Sequence, residues 1–186
     1  EYITHLGYPG GAQPHYDMTA RENWEDFFPK NLRCDAQKVA PYRPLFWSLG
    51  EEHYAGIMPT SPTANARFRE YLQRKYGALE KFNKIWAASF ASWDEVKIPG
   101  KGGLTDVMKI NYEIPQFELR RFTEQVFADR HAYLAEYFRK IDPGGEAGIH
   151  AGWDLWTGRG YDYWLLSRGM ESMSGYDLSQ GGRKKQ

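Results

Sequence analysis

The sequence predicts an α/β fold of parallel βα units, an incomplete arc of the (β/α)8-barrel type, and three observations carry that expectation. Short strand-like runs alternate with helical runs, and a parallel connection needs a crossover that a helix normally supplies. Three of the strand-like runs end in a small residue followed by residues able to hold or attack a ligand: Gly50-Glu51-Glu52-His53, Gly152-Trp153-Asp154 and Gly175-Tyr176-Asp177. The 186 residues suffice for one core but fall short of the roughly 250 of a closed eight-stranded barrel. The expectation is therefore a single partial domain over residues 1–178, followed by a disordered tail, SQGGRKKQ, at 179–186.

Taken in order, residues 1–20 are rich in Gly, Pro and His and read as a strand end followed by a surface loop. From Thr19, Trp24, Phe27, Phe28 and Leu32 stand near helical spacing, with Pro29 as a break. PLFWSLGEE at 44–52 is the first clear strand. Ser61 and Pro62, or Thr63, start a helix in which Phe68, Leu72 and Tyr76 recur every fourth residue until Gly77 stops it. LEKFNKIW then puts Leu79, Phe82, Ile85 and Trp86 on one stripe, before the turn-rich SWDEVKIPGKGG. The longest helix begins near Pro115, carries Phe122, Val126, Phe127, Leu134 and Phe138 on one side, and ends at KIDPGG. EAGIHAGW supplies a small-residue strand at 146–152. YDYWLLSRG supplies a helix, and MESMSGYD a further strand.

Composition narrows the partner classes. Twenty-four basic residues balance 24 acidic ones, so no net field favours nucleic acid or an anionic membrane, and a neutral partner fits best. No run approaches the 18 apolar residues of a membrane span. Cys34 is the sole cysteine, which rules out an internal disulfide and leaves the redox compartment undefined. The N-terminal EYITHLGYPGG has neither signal-peptide features nor an initiator Met, so localisation stays open. Seven Trp and 13 Tyr suit both cores and the C–H faces of sugars.

In a parallel barrel, reactive groups gather where the βα loops leave the C-terminal strand ends. Alternation along LFWSLGEE puts Leu45, Trp47 and Leu49 on one face, suited to the helix layer, and Ser48, Gly50 and Glu52 on the other, suited to a crowded lumen. Glu52 then stands at the barrel mouth, where partial burial and a second carboxylate would raise its pKa enough to donate a proton near neutrality. Glu51 is its substrate-binding neighbour. Read alone, the pair also fits two solvated residues opening a loop. Trp153, Trp156 and Tyr176 follow strand ends and are candidates for a sugar subsite, whereas Trp86, Trp93 and Trp164 are expected in the core. His150 shares a face with Gly148 and Gly152 by parity, and either reaches the lumen or is a satisfied structural histidine. Glu171 opens its strand at the wrong end for catalysis. No nucleophile elbow, phosphate loop or HExxH motif is present.

PLFWSLGEEHY resembles the strand of glycoside hydrolase family 42, the β-galactosidase-like enzymes, in which a Trp, three residues, an Asn and the acid/base Glu follow one another. Trp47, Glu51 and Glu52 occupy those positions here. FREYLQRKYGALEKFNKIWAASFASWDEVKIP is similar to the family's next segment, and YDYWLLSRGMESMSGYD resembles its DYW helix and following strand. The likeness implies strands 3 to 6 of a retaining barrel with a galactoside or related β-glycoside across the strand ends. It implies Glu52 as acid/base, Glu51 at the position of the sugar-binding Asn, and a Ser and a Tyr-containing loop at the end of MESMSGYD facing the sugar. Position at the strand ends, not the resemblance, adds His150, Trp153, Asp154, Tyr176 and Asp177 as substrate-binding candidates.

Three departures follow from the same comparison. Glu51 stands where the family has Asn, replacing a donor and acceptor with an acceptor only. A lone Cys34 cannot build the zinc cluster of many members, so no metal is expected, and no cofactor. The nucleophilic Glu belongs two strands past MESMSGYD, outside this sequence. Asp154 and Asp177 are poor stand-ins because their side chains are short. The expected protein is thus a fragment of a retaining β-glycosidase, with negligible turnover of its own. The alternatives are a non-catalytic carbohydrate-binding protein on a partial barrel, or a chain that folds with the remainder of the barrel or as a homo-oligomer.

Overall fold

In the computed structural model the described residues are 17–21, 36–51, 57–100, 104–106, 114–151 and 162–175. The expected helix after Thr19, Cys34, His53, Trp156 and the tail at 179–186 lie outside them. The elements, in chain order, are β1 (Trp47–Glu51), β2 (Ile57–Pro59), α1 (Pro62–Tyr76), α2 (Leu79–Trp86), β3 (Leu104–Asp106), α3 (Ile114–Ile141), β4 (Ala147–Ala151), α4 (Tyr163–Ser167) and β5 (Ser172–Gly175).

β1, β4 and β5 form a parallel sheet in that order, each neighbour reached through a helical crossover. This is the predicted βα arc. β2 and β3 pair separately as a short antiparallel ribbon, Met58 opposite Thr105.

The helix boundaries follow from local chemistry. Ser61 caps α1, its Oγ accepting from the Ala64 N–H at 2.9 Å, with Pro62 at the first helical position where its missing N–H costs nothing. Gly77, at φ 74°, ends the helix in the left-handed region that a glycine enters without strain. Phe68, Leu72 and Tyr76 are all buried, as their four-residue spacing requires. In α2 Phe82 is fully buried among Tyr76, Trp86, Phe90 and Trp93, with ring centroids 4.5–6.0 Å apart. Much of the aromatic content thus serves the helix layer. Ile85 departs from the predicted stripe and is exposed.

α3 binds the sheet to α1. Trp47 stacks on Phe138 at 4.9 Å, and its indole N–H donates to Asp142 at 2.9 Å. The approach is close enough that a Cβ on Gly145 would fall 2.7 Å from that indole nitrogen. On the α1 side the buried Glu118 carboxylate accepts from the Tyr71 hydroxyl (2.9 Å), the Tyr76 hydroxyl (2.7 Å) and the Lys75 ammonium (2.7 Å). Burial, reinforced by the Glu118 charge, raises the pKa of the Tyr71 phenol above its ordinary value. The predicted apolar side of α3 is present, but the helix also buries Thr123, Glu124, Arg130 and His131. Burial raises the Glu124 carboxyl pKa against the opposing pull of Arg120.

Two further expectations about packing are overturned. Leu45 is 78 % exposed because it sits in the bend before β1 and never joins the sheet. Trp164 is 74 % exposed because α4 is a short helix that buries Leu166, and two helical steps place Trp164 on the opposite side. Trp86 and Trp93 are half-buried against the core, closer to what was expected.

Candidate active site

All three strands of the parallel sheet run the same way, so their C-terminal ends, Glu51, Ala151 and Gly175, lie along one edge. The register is fixed by Trp47 with Ala147, Ser48 with Gly148, Glu51 with His150, His150 with Ser174, and Ala151 with Gly175. Of the predicted site residues, Glu51 and His150 are therefore brought together as partners on adjacent strands. Glu52, Trp153, Asp154, Tyr176 and Asp177 lie outside the described residues. In sequence they follow these strand ends by one to three positions.

The pairing of β1 with β4 is irregular before Glu51. Between Ser48 and Glu51 the chain of β1 advances three positions while β4 advances two, from Gly148 to His150. One extra residue is inserted. Gly50 accommodates it at φ 152°, where side chains are seldom tolerated. The buried Ser48 hydroxyl donates to the Gly50 carbonyl at 3.4 Å. Strict alternation counted from Trp47 thus stops at the bulge and does not reach Glu52. Trp47 does pack on the helix layer as expected, through Phe138.

Gly148, the partner of Ser48, meets Ser172 tightly: a Cβ there would fall 1.7 Å from the Ser172 carbonyl oxygen. The small residues read in EAGIHAGW therefore have a packing reason. Strand pairing shows that Ser174 shares a register position with His150.

At the opposite edge Glu171 precedes β5, as predicted for a residue remote from catalysis. Burial works to raise its pKa, yet the Ala147 N–H (3.1 Å) and Arg139 outweigh that and hold its carboxyl below the ordinary range. Arg139 also donates to the Gly169 carbonyl at 3.0 Å, so one ion pair ties α3, β4 and the start of β5 together. Among the described residues no group of three or more His, Cys, Asp or Glu is placed to hold a metal ion, and no helix is long and apolar enough to cross a membrane.

Comparison with known proteins agrees with this geometry. Residues 43–185 match the family model Glyco_hydro_42, described as beta-galactosidase. A curated relative, beta-galactosidase LacZ of Heyndrickxia coagulans, is 26% identical over 98 residues, which is 49% of this chain and 15% of that protein. A solved structure of a catalytic mutant of Gan42B, a GH42 beta-galactosidase from G. stearothermophilus, superposes with a TM-score of 0.68 at 18% identity, covering 89% of this chain and 24% of that one. An apo exo-carrageenase GH42 from Bacteroides ovatus gives 0.64 at 18% identity, covering 86% and 23%. The chain thus spans about a quarter or less of these relatives, and its parallel arc is one part of their barrel fold. With most of its length inside the family's model, the chain belongs to glycoside hydrolase family 42.

Proposed function

We propose that the protein carrying this chain is a retaining β-glycosidase acting on β-galactosides or closely related β-glycosides, with Glu52 as its acid/base. The observation that supports this best is the alignment of three parallel C-terminal strand ends on one edge, with Glu52 the next residue after the first of them. Barrel enzymes build their sites from that edge.

Hydrolysis with retention needs two carboxyl groups about 5–5.5 Å apart. Glu52 protonates the leaving glycosidic oxygen while a second carboxylate, supplied from outside these residues, attacks the anomeric carbon and forms a glycosyl ester. Glu52 then takes a proton from the water that releases the sugar. Trp153 and Tyr176 offer flat faces to the sugar's C–H groups, and Glu51, His150, Asp154 and Asp177 exchange hydrogen bonds with its hydroxyls. No cofactor enters this chemistry. Further strands of the barrel, or a second copy, would cover the remaining edges of β1 and β5.

Release of nitrophenol from 4-nitrophenyl β-D-galactopyranoside by the full-length protein tests the proposal. Glu52→Gln should lower kcat, through the hydrolysis of the glycosyl intermediate that needs a base, by a factor on the order of 10²–10⁴. Undiminished activity in that variant removes Glu52 from the role. A wild-type protein that binds galactosides without cleaving them favours a non-catalytic carbohydrate-binding function instead.

A further inference from the structure

The crease between α1 and α3 opens into a cleft of about 280 Å³ whose third wall is the segment 17–21, and no residue of β1, β4 or β5 lines it. That segment is tied to the start of α1. The Asp17 carboxylate accepts from the Ser61 hydroxyl that caps the helix, and from the Thr19 N–H at 2.8 Å. The charges lining the cleft do not balance: Arg21, Arg67 and Arg74 stand against Glu70 and Asp129. Glu70 is already paired with Arg67 at 3.3 Å, and Asp129 accepts from the Gln125 amide at 2.7 Å. Among the described residues no carboxylate lies within ion-pair distance of the exposed Arg74 guanidinium. Arg67 and Arg74 are seven positions apart, two turns along one face of α1 and ~10 Å along its axis, with Tyr71 between them.

We propose that this cleft is a second binding site, separate from the strand ends, for a phosphate or sulfate monoester of about monosaccharide size, with Arg74 as its principal anchor and Arg67 and Arg21 beside it. A guanidinium offers a planar fork of donors that matches an oxyanion, and a tetrahedral group presents oxygens in several directions to arginines on two segments. A neutral ligand would leave the Arg74 charge without a counter-charge. The half-buried Tyr71 and Val126 give the organic part of the ester apolar surface. The volume lies just below the roughly 300–1,000 Å³ of typical small-molecule sites, which suits one small ester and not an oligomer. The site goes beyond the proposed hydrolysis and does not depend on Glu52.

Isothermal titration calorimetry of the full-length protein tests this without reference to turnover, with glucose 6-phosphate, glucose 6-sulfate and glucose as probes. At least one ester should bind more tightly than glucose, and added NaCl should weaken it; which ester binds identifies the source of the oxyanion. Arg74→Ala should weaken that binding about tenfold, the loss of one charge-assisted contact. Arg74→Lys keeps the charge without the planar fork and should fall between the two. Glu70→Gln removes the carboxylate that competes for Arg67 and should tighten binding. Lys81→Ala removes an exposed cation on α2, outside the cleft, and should change nothing. No binding of either ester, glucose bound as tightly as its esters, or equal weakening by Lys81→Ala and Arg74→Ala overturns the site. Glu52→Gln should bind the ester as the wild type does, so the cleft and the acid/base assignment stand or fall separately.

Discussion

Replacing Glu118 by Ala should be among the most damaging single changes to the helix layer. The wild-type carboxylate is 3 % exposed and accepts from two phenols and one ammonium at 2.7–2.9 Å. Truncation strands the Tyr76 hydroxyl, on a side chain 8 % exposed, and the half-buried Tyr71 hydroxyl. Lys75, whose side chain is 42 % exposed, simply returns to water. Each hydrogen bond to a buried charge is worth about 1.5–3 kcal/mol and breaking a buried ionic cluster costs about 3–5 kcal/mol, so the expected loss is about 3–5 kcal/mol. Glu118→Gln keeps one acceptor oxygen and should lose about 1–2 kcal/mol, and Lys75→Met less than about 1 kcal/mol. Scanning calorimetry of the full-length protein reads the difference as a fall in Tm of roughly 10 °C for Glu118→Ala. The reasoning fails if Glu118→Ala and Lys75→Met give equally small shifts, since the buried phenols would then contribute nothing.

Other consequences follow from the same geometry. Tyr71, its pKa raised by burial and then by Glu118, stays protonated in the fold after the unfolded phenol ionises; its stability contribution is present below pH ~10 and lost as pH rises through the folded value, and Tyr71→Phe should flatten that alkaline slope in pH-dependent unfolding. Glu171, held below the ordinary range, stabilises the fold above the unfolded carboxyl pKa and loses that effect as pH falls through its folded value; Glu171→Gln should weaken the neutral-pH fold by about 1 kcal/mol, discounted because the carboxylate is a third exposed, and leave a shallower acid limb in urea titrations. Gly148→Ala should split β4 from β5, since its Cβ would meet backbone at 1.7 Å; wild-type amide exchange protection in Ile149 and Met173 would contradict this. Ala87→Gly should stabilise by about 1 kcal/mol, because Ala87 ends α2 at φ 48° where a Cβ is strained; an unchanged or lower Tm counts against it.

Much of this architecture was legible in the residues because its signals are local. The Ser61-Pro62 start, the Gly77 stop and the spacing of Phe68, Leu72 and Tyr76 each act within a few positions, and the observed helix keeps them all. Strand direction was legible too, since helical crossovers between short strands force parallel pairing and so gather the ends at Glu51, Ala151 and Gly175 on one edge. Long-range pairing was not. Ile57–Pro59 and Leu104–Asp106 are too short to show alternation, and they pair across more than 40 intervening positions. The register shift between Ser48 and Glu51 depends on what lies opposite in β4, so counting along β1 alone cannot show it. Nothing in the sequence marks Glu118, because its partners, Tyr71, Lys75 and Tyr76, come from another helix.

The role of Glu52 is tested most directly by chemical rescue. In the full-length protein carrying Glu52→Gln, a galactoside with an activated leaving group can still form the glycosyl intermediate, but no base remains to activate water. Added azide needs no base and should restore turnover, yielding β-galactosyl azide identifiable by its anomeric proton coupling. A variant that turns over at the wild-type rate without azide, or one that azide leaves unrescued with no azide adduct, would contradict the acid/base assignment.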